Sequence, residues 1–380
     1  MMLDQISNFI QDKFHTNDFI PLHEPRFIGL EKEFLNQAVD STFVSSVGEY
    51  VDQFENNISS FTQSSHAIAV MNGTAALHLS MLLAGVKPGD FVITQALTFV
   101  ATCNAISYCN AEPILIDVDK NTLGLCPVAL ESWLEENATF DKKGSCILKQ
   151  TKRSIKACIP MHTFGHPAEI DSIIRICKKW KISVIEDAAE SLGSLYKNIH
   201  TGTFGLMGTL SFNGNKIITT GGGGAILCNE ETYFRGKHLS TTAKVPSEVD
   251  FFHDQIGFNY RLPNLNAALG CAQLESLDFF LKKKRNLAME YQQLFKDSDF
   301  YFFVEPKNCR SNYWLNTILC QDKIHRDKFL NYMNNKKIMT RPIWTPMNKL
   351  PMFSNAINDG LKNTAWIEDR VVNIPSSVTI

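Results

Sequence analysis

One lysine in the sequence stands in a setting that suits covalent chemistry. Lys216 follows an apolar run that ends in Ser211, and four glycines at 221–224 separate it from a second apolar run. This spacing predicts a tight turn between two strands, where small residues let a ligand approach the backbone. An amine held there suits Schiff-base chemistry on a carbonyl compound. A glycine-rich hairpin with a solvated lysine fits the same residues, so the surrounding sequence has to decide.

A second motif, Asn72-Gly73-Thr74, separates an apolar strand pattern at 67–71 from a helical pattern at 75–85. Small residues at such a turn expose the first amide groups of the new helix, and these amides and the helix dipole attract a phosphate. Thr74 as an ordinary helix cap is the alternative.

Two further side chains follow strand patterns. Asp187 ends the apolar run at 183–187, and a buried acid is stable where it meets a cation such as a protonated pyridine nitrogen. It could instead cap the following turn. Phe99 stands beside small residues after the strand pattern at 91–94, where an aromatic ring could stack on a flat ligand or belong to the core.

The elements that must position these residues alternate between strand and helix. Strand patterns lie near 91–94, 113–118, 157–161 and 183–188, and the stretch 169–180 has an apolar face typical of a sheet-covering helix. We therefore predict an α/β fold with a mostly parallel sheet, helices on both faces, and ligands at the carboxyl ends of the strands. We expect an N-terminal extension at 1–25, a large domain at 26–250 and a smaller C-terminal α+β domain at 251–380.

Composition excludes several functional classes. The 380 residues carry a formal net charge of −2, which gives no basic surface for nucleic acid or an anionic membrane. The ten cysteines never form a Cys-x-x-Cys pair, so we expect reduced thiols and a cytoplasmic protein. No metal site is predicted, because Gly165 and Pro167 break any helix that would align His162 with His166. The glycine-rich stretch 202–208 precedes a strand, which argues against a dinucleotide loop.

Taken together, the motifs at 72–77, 98–102, 187–190, 211–216, 219–221 and 257–261 resemble those of the DegT/DnrJ/StrS sugar aminotransferases in order and type. The resemblance runs from about Pro21 to the C-terminus. It implies the fold-type-I architecture of enzymes that depend on pyridoxal 5'-phosphate, and a homodimer whose active sites lie at the subunit interface.

The resemblance also implies roles for individual residues. Lys216 matches the lysine that bonds the cofactor, and Asp187 matches the acid that pairs with the ring nitrogen. The other cofactor contacts implied are Phe99 on the ring face, Gly73, Thr74 and Ser211 at the phosphate, Asn259 reaching the phosphate from the other subunit, and Glu190. Two positions depart from many relatives, which have Gln at the position of Glu190 and Glu at that of Gly222.

The segments 211–216, 219–224, 341–344 and 373–377 look most like the branch that serves legionaminic-acid biosynthesis. That likeness implies transfer of an amino group from glutamate to C4 of a nucleotide-linked 2-acetamido-4-keto-6-deoxyhexose, with UDP, GDP and dTDP all open. Expected substrate contacts are Ser45, Gly48, Arg261, Trp344 and Asn348. Ser45 and Gly48 also fit a plain connection between helices.

Three other functions fit part of the pattern. A related sugar dehydratase is disfavoured, because dehydratases of this superfamily have another residue in place of Lys216. A 3-amino-sugar or cyclitol aminotransferase is the alternative within the enzyme class. A regulator that binds the cofactor without turnover is the alternative outside it, and the presence of both Lys216 and Asp187 argues against it.

Overall fold

The computed structural model describes residues 2–247 and 249–380. Its α-helices are α1 Met2–Lys13, α2 Glu31–Asp40, α3 Glu49–Thr62, α4 Gly73–Leu83, α5 Val100–Tyr108, α6 Pro127–Asn137, α7 Ile170–Lys179, α8 Glu230–Ser240, α9 Asn264–Glu275, α10 Leu277–Phe295, α11 Lys323–Asn335 and α12 Lys362–Glu368. Three short 3-10 helices span Thr163–Gly165, Met347–Lys349 and Pro351–Phe353.

The strands are β1 His66–Val70, β2 Phe91–Gln95, β3 Glu112–Ile116, β4 Ala138–Phe140, β5 Cys146–Leu148, β6 Ile155–Ile159, β7 Ser183–Asp187, β8 Leu195–Tyr196, β9 Ile199–His200, β10 Met207–Ser211, β11 Gly224–Cys228, β12 Tyr301–Phe302, β13 Cys309–Arg310, β14 Asn316–Leu319, β15 Arg341–Pro342, β16 Ile357–Asn358 and β17 Val371–Ile374. Every strand expected from the apolar runs is present, within a few residues of its predicted bounds.

The central sheet has eight strands in the order β1-β11-β10-β7-β6-β2-β3-β16. The six strands from β10 to β16 in that order run parallel, and β11 runs antiparallel to both of its neighbours. The predicted α/β class with a mostly parallel sheet is therefore confirmed.

Alternate residues of the strands face opposite layers of helices. On β1, Ile68 and Val70 pack with the apolar residues of α4, whereas Ala67 and Ala69 pack with Phe54 of α3. Helices α4, α5 and α8 cover one face, and α3, α6, α7 and α9 cover the other. Because both faces are buried, apolar residues point to both layers of helices, and the strands do not alternate regularly between apolar and polar residues.

The C-terminal part contains a smaller antiparallel sheet in the order β12-β14-β17-β15. Its core also includes α1, whose Ile6 and Ile10 belong to one buried cluster with Phe329 and Met333 of α11. The N-terminal helix thus packs with the C-terminal sheet, while β16 joins the edge of the central sheet. The division at residues 25 and 250 stays a prediction.

Within residues 2–247 and 249–380, no helix is both long and apolar enough to cross a membrane. All ten cysteines are unpaired, and eight of them are buried.

Candidate active site

A cavity of about 280 Å³ lies at the carboxyl ends of β7 and β10. It collects eight of the residues singled out from the sequence, drawn from separate parts of the chain: Gly73, Thr74, Phe99, Asp187, Glu190, Ser211, Lys216 and Trp344. In open α/β folds, ligands bind at the carboxyl ends of the parallel strands.

The predicted turn around Lys216 is the connection between the antiparallel strands β10 and β11. The backbone of Phe212 closes its base: its N–H donates to the Gly223 carbonyl (2.8 Å), and its carbonyl accepts from the Thr220 N–H (3.0 Å). The Lys216 side chain is only 13% exposed, with Nζ 3.4 Å from Oε1 of Glu190. Nζ also lies 4.0 Å from the ring centroid of Trp314. The lysine is therefore held inside the cavity, which contradicts the solvated-hairpin reading.

The glycines after Lys216 are not equivalent. Gly221 has a φ of +79°, which favours glycine, and a Cβ at Gly224 would lie 2.6 Å from the Asn72 backbone. At Gly222 a Cβ would meet nothing closer than the Met71 carbonyl oxygen, at 3.9 Å. The departure at Gly222 therefore leaves open space beside the turn.

The start of α4 forms a cradle for an anion. The Asn72 side chain caps the helix by accepting from the N–H of Ala75 (2.8 Å), and the N–H groups of Gly73 and Thr74 have no acceptor within the helix. A Cβ at Gly73 would lie 3.0 Å from Cβ of Ser211, so glycine allows the strand end and the helix to come together. Thr74 is not the cap, and its hydroxyl is left for a ligand in the cavity.

Asp187 is 2% exposed at the end of β7. Thr102 Oγ1 donates to its Oδ2 at 2.7 Å, and the N–H of Ala189 donates to its Oδ1 at 3.2 Å. Burial raises the pKa of Asp187, although the Thr102 hydrogen bond and the Lys216 charge oppose the rise. A cation in the cavity would offset the cost of keeping this carboxylate charged.

Glu190 lies between the lysine and the backbone of Phe164. Its Oε2 accepts from the Phe164 N–H at 2.9 Å, and its side chain is 2% exposed. Burial raises the pKa of Glu190 to about 7, with the Lys216 charge acting in the opposite direction. Phe164 itself has a φ of +56°, which is uncommon for a bulky residue and typical of functional sites.

Aromatic side chains form the remaining walls. Phe99 precedes α5 and is 51% exposed, so its ring is free to face a ligand. Trp344 lies 6.4 Å from Phe99 and 5.0 Å from Phe164 between ring centroids. Trp314 donates from Nε1 to the Asn215 carbonyl at 2.7 Å, which fixes its ring below the lysine.

Five sequence-predicted residues lie outside this cavity. Asn259 is exposed and accepts from the Arg261 guanidinium at 3.2 Å, while Arg261 lines a separate surface hollow. Ser45 and Gly48 lie in the α2–α3 connection, which packs against Asn264 of α9. Asn348 lies in a 3-10 helix, where its buried Oδ1 has no hydrogen-bond partner. Within one chain, none of these five reaches the lysine.

Several cavity residues were not singled out as site residues from the sequence: Met161, Asn213, Asn215 and Trp314. Nor was Thr102, a buried residue that donates to Asp187. Thr102 and the two asparagines stand inside motifs that were recognised. Trp314 stands about a hundred positions beyond the lysine, and only the aromatic pair Tyr313-Trp314 could have drawn attention to it.

Two motifs were excluded above, His162 and His166 as a metal pair and the glycine-rich stretch 202–208 as a dinucleotide loop. Both contain residues that bind Glu186 next to the site. Glu186, directly before Asp187, accepts from the N–H groups of Gly202, Phe204 and Gly205 at 2.7–2.8 Å. It also pairs with His162 Nε2 at 2.9 Å. The glycine-rich stretch therefore binds a carboxylate of the chain itself. The part of the chain that the structure describes contains no group of three or more His, Cys, Asp or Glu suited to a metal ion.

The groups in the cavity fit pyridoxal phosphate. Free helix amides suit the phosphate, and a buried carboxylate suits the ring nitrogen. The exposed ring of Phe99 suits contact with the face of the cofactor ring, and the amine of Lys216 suits a bond to the cofactor carbonyl.

Comparison with known proteins agrees with this chemistry. A sequence model of the DegT/DnrJ/EryC1/StrS aminotransferase family matches residues 28–380. The chain is 36% identical over 366 residues to a GDP-perosamine synthase of Escherichia coli O157:H7, covering 94% of this chain and 93% of that one. It is 37% identical over 340 residues to the putative pyridoxal phosphate-dependent aminotransferase EpsN of Bacillus subtilis, covering 89% and 84%.

A solved structure with the same fold is the pyridoxal-phosphate form of the putative sugar aminotransferase Spr1654 from Streptococcus pneumoniae, at a TM-score of 0.84 and 20% identity. The match covers 94% of this chain and 93% of that one. The chain belongs to the DegT/DnrJ/EryC1/StrS aminotransferase family and is a pyridoxal-phosphate-dependent aminotransferase.

Proposed function

We propose that the protein transfers an amino group from glutamate to C4 of a nucleotide-linked 2-acetamido-4-keto-6-deoxyhexose, in biosynthesis of a legionaminic-acid-type bacterial surface sugar. The observation that carries the aminotransferase chemistry is the meeting of Lys216, Asp187 and the start of α4 in one cavity. The position C4 is supported by the relatives named GDP-perosamine synthase, since perosamine carries its amino group at C4.

In this proposal each cavity residue has one task. Pyridoxal phosphate, when bound, supplies an electron sink for the pair of electrons left at the α carbon of the amino donor. Asp187 holds a positive charge at the ring nitrogen, and Thr102 fixes its carboxylate. Lys216 takes the proton from the α carbon at Nζ and later gives it up. Phe99 covers the ring, and Gly73, Thr74 and Ser211 bind the phosphate.

The residues outside the cavity fit a homodimer with shared active sites. Asn259 is exposed, and the segment that precedes it in the sequence carries Phe251 and Ile256, which are 86% and 87% exposed. Large apolar side chains that are this exposed favour a protein interface. We propose that this region meets the partner subunit, so that Asn259 reaches the partner's phosphate site. Arg261, Ser45 and Gly48 would then bind the sugar nucleotide together with Trp344 and Asn348.

The test is a panel of UDP-, GDP- and dTDP-linked keto sugars, incubated with the enzyme and glutamate. We expect one 4-keto sugar nucleotide to be converted, with the 4-amino product identified by NMR. The purified enzyme should show a visible cofactor absorbance band that Lys216→Ala abolishes. A 3-amino product would contradict the proposed position, and a cofactor band that no amino acid alters would point to a binding protein without turnover.

A further inference from the structure

Glu190 and Lys216 form a buried pair whose geometry suits proton exchange. The distance of 3.4 Å joins Glu190 Oε1 to Nζ, and the lysine is confined on another side by the ring of Trp314 at 4.0 Å. The Glu190 side chain is held in place because its Oε2 accepts from the Phe164 N–H. Its backbone is held as well, because the Glu190 backbone carbonyl accepts from Asn312 Nδ2 at 2.9 Å. One carboxylate oxygen is therefore kept directed at the amine.

The second carboxyl of the cavity is engaged elsewhere. Asp187 accepts from Thr102 with one oxygen and from the Ala189 N–H with the other, and no hydrogen bond joins it to Lys216 among the described residues. The charged groups that face Glu190 are Lys216 from the β10–β11 turn and Asp187 from the end of β7. Glu190 is thus the acid in direct contact with the reacting nitrogen.

A lysine that acts as a base must first be neutral. We propose that Glu190 is the proton partner of Lys216: Oε1 takes a proton from the Nζ ammonium and returns it later in the reaction. An N–H bond breaks as an O–H bond forms, so that an ammonium and a carboxylate become a neutral amine and a neutral carboxyl. The exchange needs no oxidant, reductant or further reactant.

Burial favours this exchange, because the proton transfer neutralises two opposite charges that are costly to keep away from water. The same burial raises the pKa of Glu190 to about 7, so the carboxyl can hold a proton near neutral pH. A glutamine at this position could still accept from the Phe164 N–H, but it could not carry the proton. The proposal therefore gives the acid at residue 190 a task that an amide cannot perform. It rests on the proposed function only in taking Lys216 as the base.

The experiment compares the wild type with Glu190→Gln, both loaded with cofactor. Infrared difference spectra recorded without substrate, as the pH is lowered through about 7, should show a protonated-carboxyl band that Glu190→Gln lacks. Adding an amino donor should produce the same band in the wild type alone. The rate of the donor half-reaction should fall about 100-fold in the variant.

The matched control is Glu55→Gln, which removes another buried glutamate that pairs with a lysine, Lys237 at 2.8 Å, outside the cavity. It should keep the carboxyl band of the wild type and its half-reaction rate. The proposal is overturned if Glu190→Gln retains the band or reacts at the wild-type rate, since Glu190 is then only an acceptor for the Phe164 amide. Failure of every amino donor would count against the proposed function instead, because the substrate-free titration decides the role of Glu190 on its own.

Discussion

The hydroxyl of Thr102 donates a 2.7 Å hydrogen bond to Oδ2 of Asp187, joining the first turns of α5 to the end of β7. This bond fixes the carboxylate that faces the cavity. A hydrogen bond between neutral groups contributes about 1 kcal/mol, whereas one to a charged group such as a carboxylate contributes roughly 1.5–3 kcal/mol.

We expect Asp187→Asn to weaken cofactor binding about 10- to 100-fold, because an amide cannot balance a positive charge on the ring nitrogen. Thr102→Val, which removes only the supporting bond, should weaken it about fivefold. Titration of the cofactor-free variants with pyridoxal phosphate, followed by absorbance, measures both. Equal losses in the two variants would contradict a role for the charge of Asp187.

Gly73→Ala should raise the dissociation constant of the cofactor about 10-fold, because the added methyl group presses on Ser211, 3.0 Å away, and distorts the cradle. Gly214→Ala is the control, since a Cβ there has no atom within 4 Å. The same titration applies. A wild-type dissociation constant for Gly73→Ala would show that the start of α4 does not bind the phosphate.

Mixed subunits test the shared site. In a dimer that combines a Lys216→Ala chain with an Asn259→Ala chain, one site carries both changes and the other carries neither. Random reassembly of the two inactive proteins should therefore restore about a quarter of the wild-type activity. Activity is assayed after mixing, with each variant alone as the control. If Asn259 serves the site of its own chain, no activity returns.

Lys284 is fully buried on α10, where its Nζ donates to the Trp314 carbonyl at 3.1 Å and to the Ser376 carbonyl. Burial lowers its pKa from 10.5 to about 7. Between these values the unfolded chain binds more protons than the folded one, so the free energy of unfolding should rise with pH, by up to about 1.4 kcal/mol per pH unit.

Lys284→Met should remove that contribution. Urea unfolding of both proteins at about pH 7.5 and about pH 9 measures it as the difference between wild type and variant. If the difference in the free energy of unfolding between the two proteins does not change with pH, the pKa of Lys284 is not lowered in the folded protein. Comparing the two proteins cancels the titration of groups they share.

The sequence predicted the mostly parallel central sheet, although not its strand order, because its buried strands are short apolar runs separated by helical patterns, as at 91–94 and 183–188. Gly73, Asp187 and Lys216 could be found because each stands where a strand ends. Trp314 could not, because its place below Lys216 depends on how the C-terminal sheet packs on the large one. Nor could the packing partner of α1, because its apolar face contacts α11, more than three hundred residues away.

The segment that carries Trp344 is attached on both sides. Before it, β15 pairs with β17; after it, the Met347 N–H donates to the Ala96 carbonyl at 3.0 Å, and β16 then lies along β3. This pairing on both sides restrains the backbone that carries Trp344. We therefore expect the cavity wall that Trp344 forms to be preorganised, so that a ligand binds there without first ordering the wall.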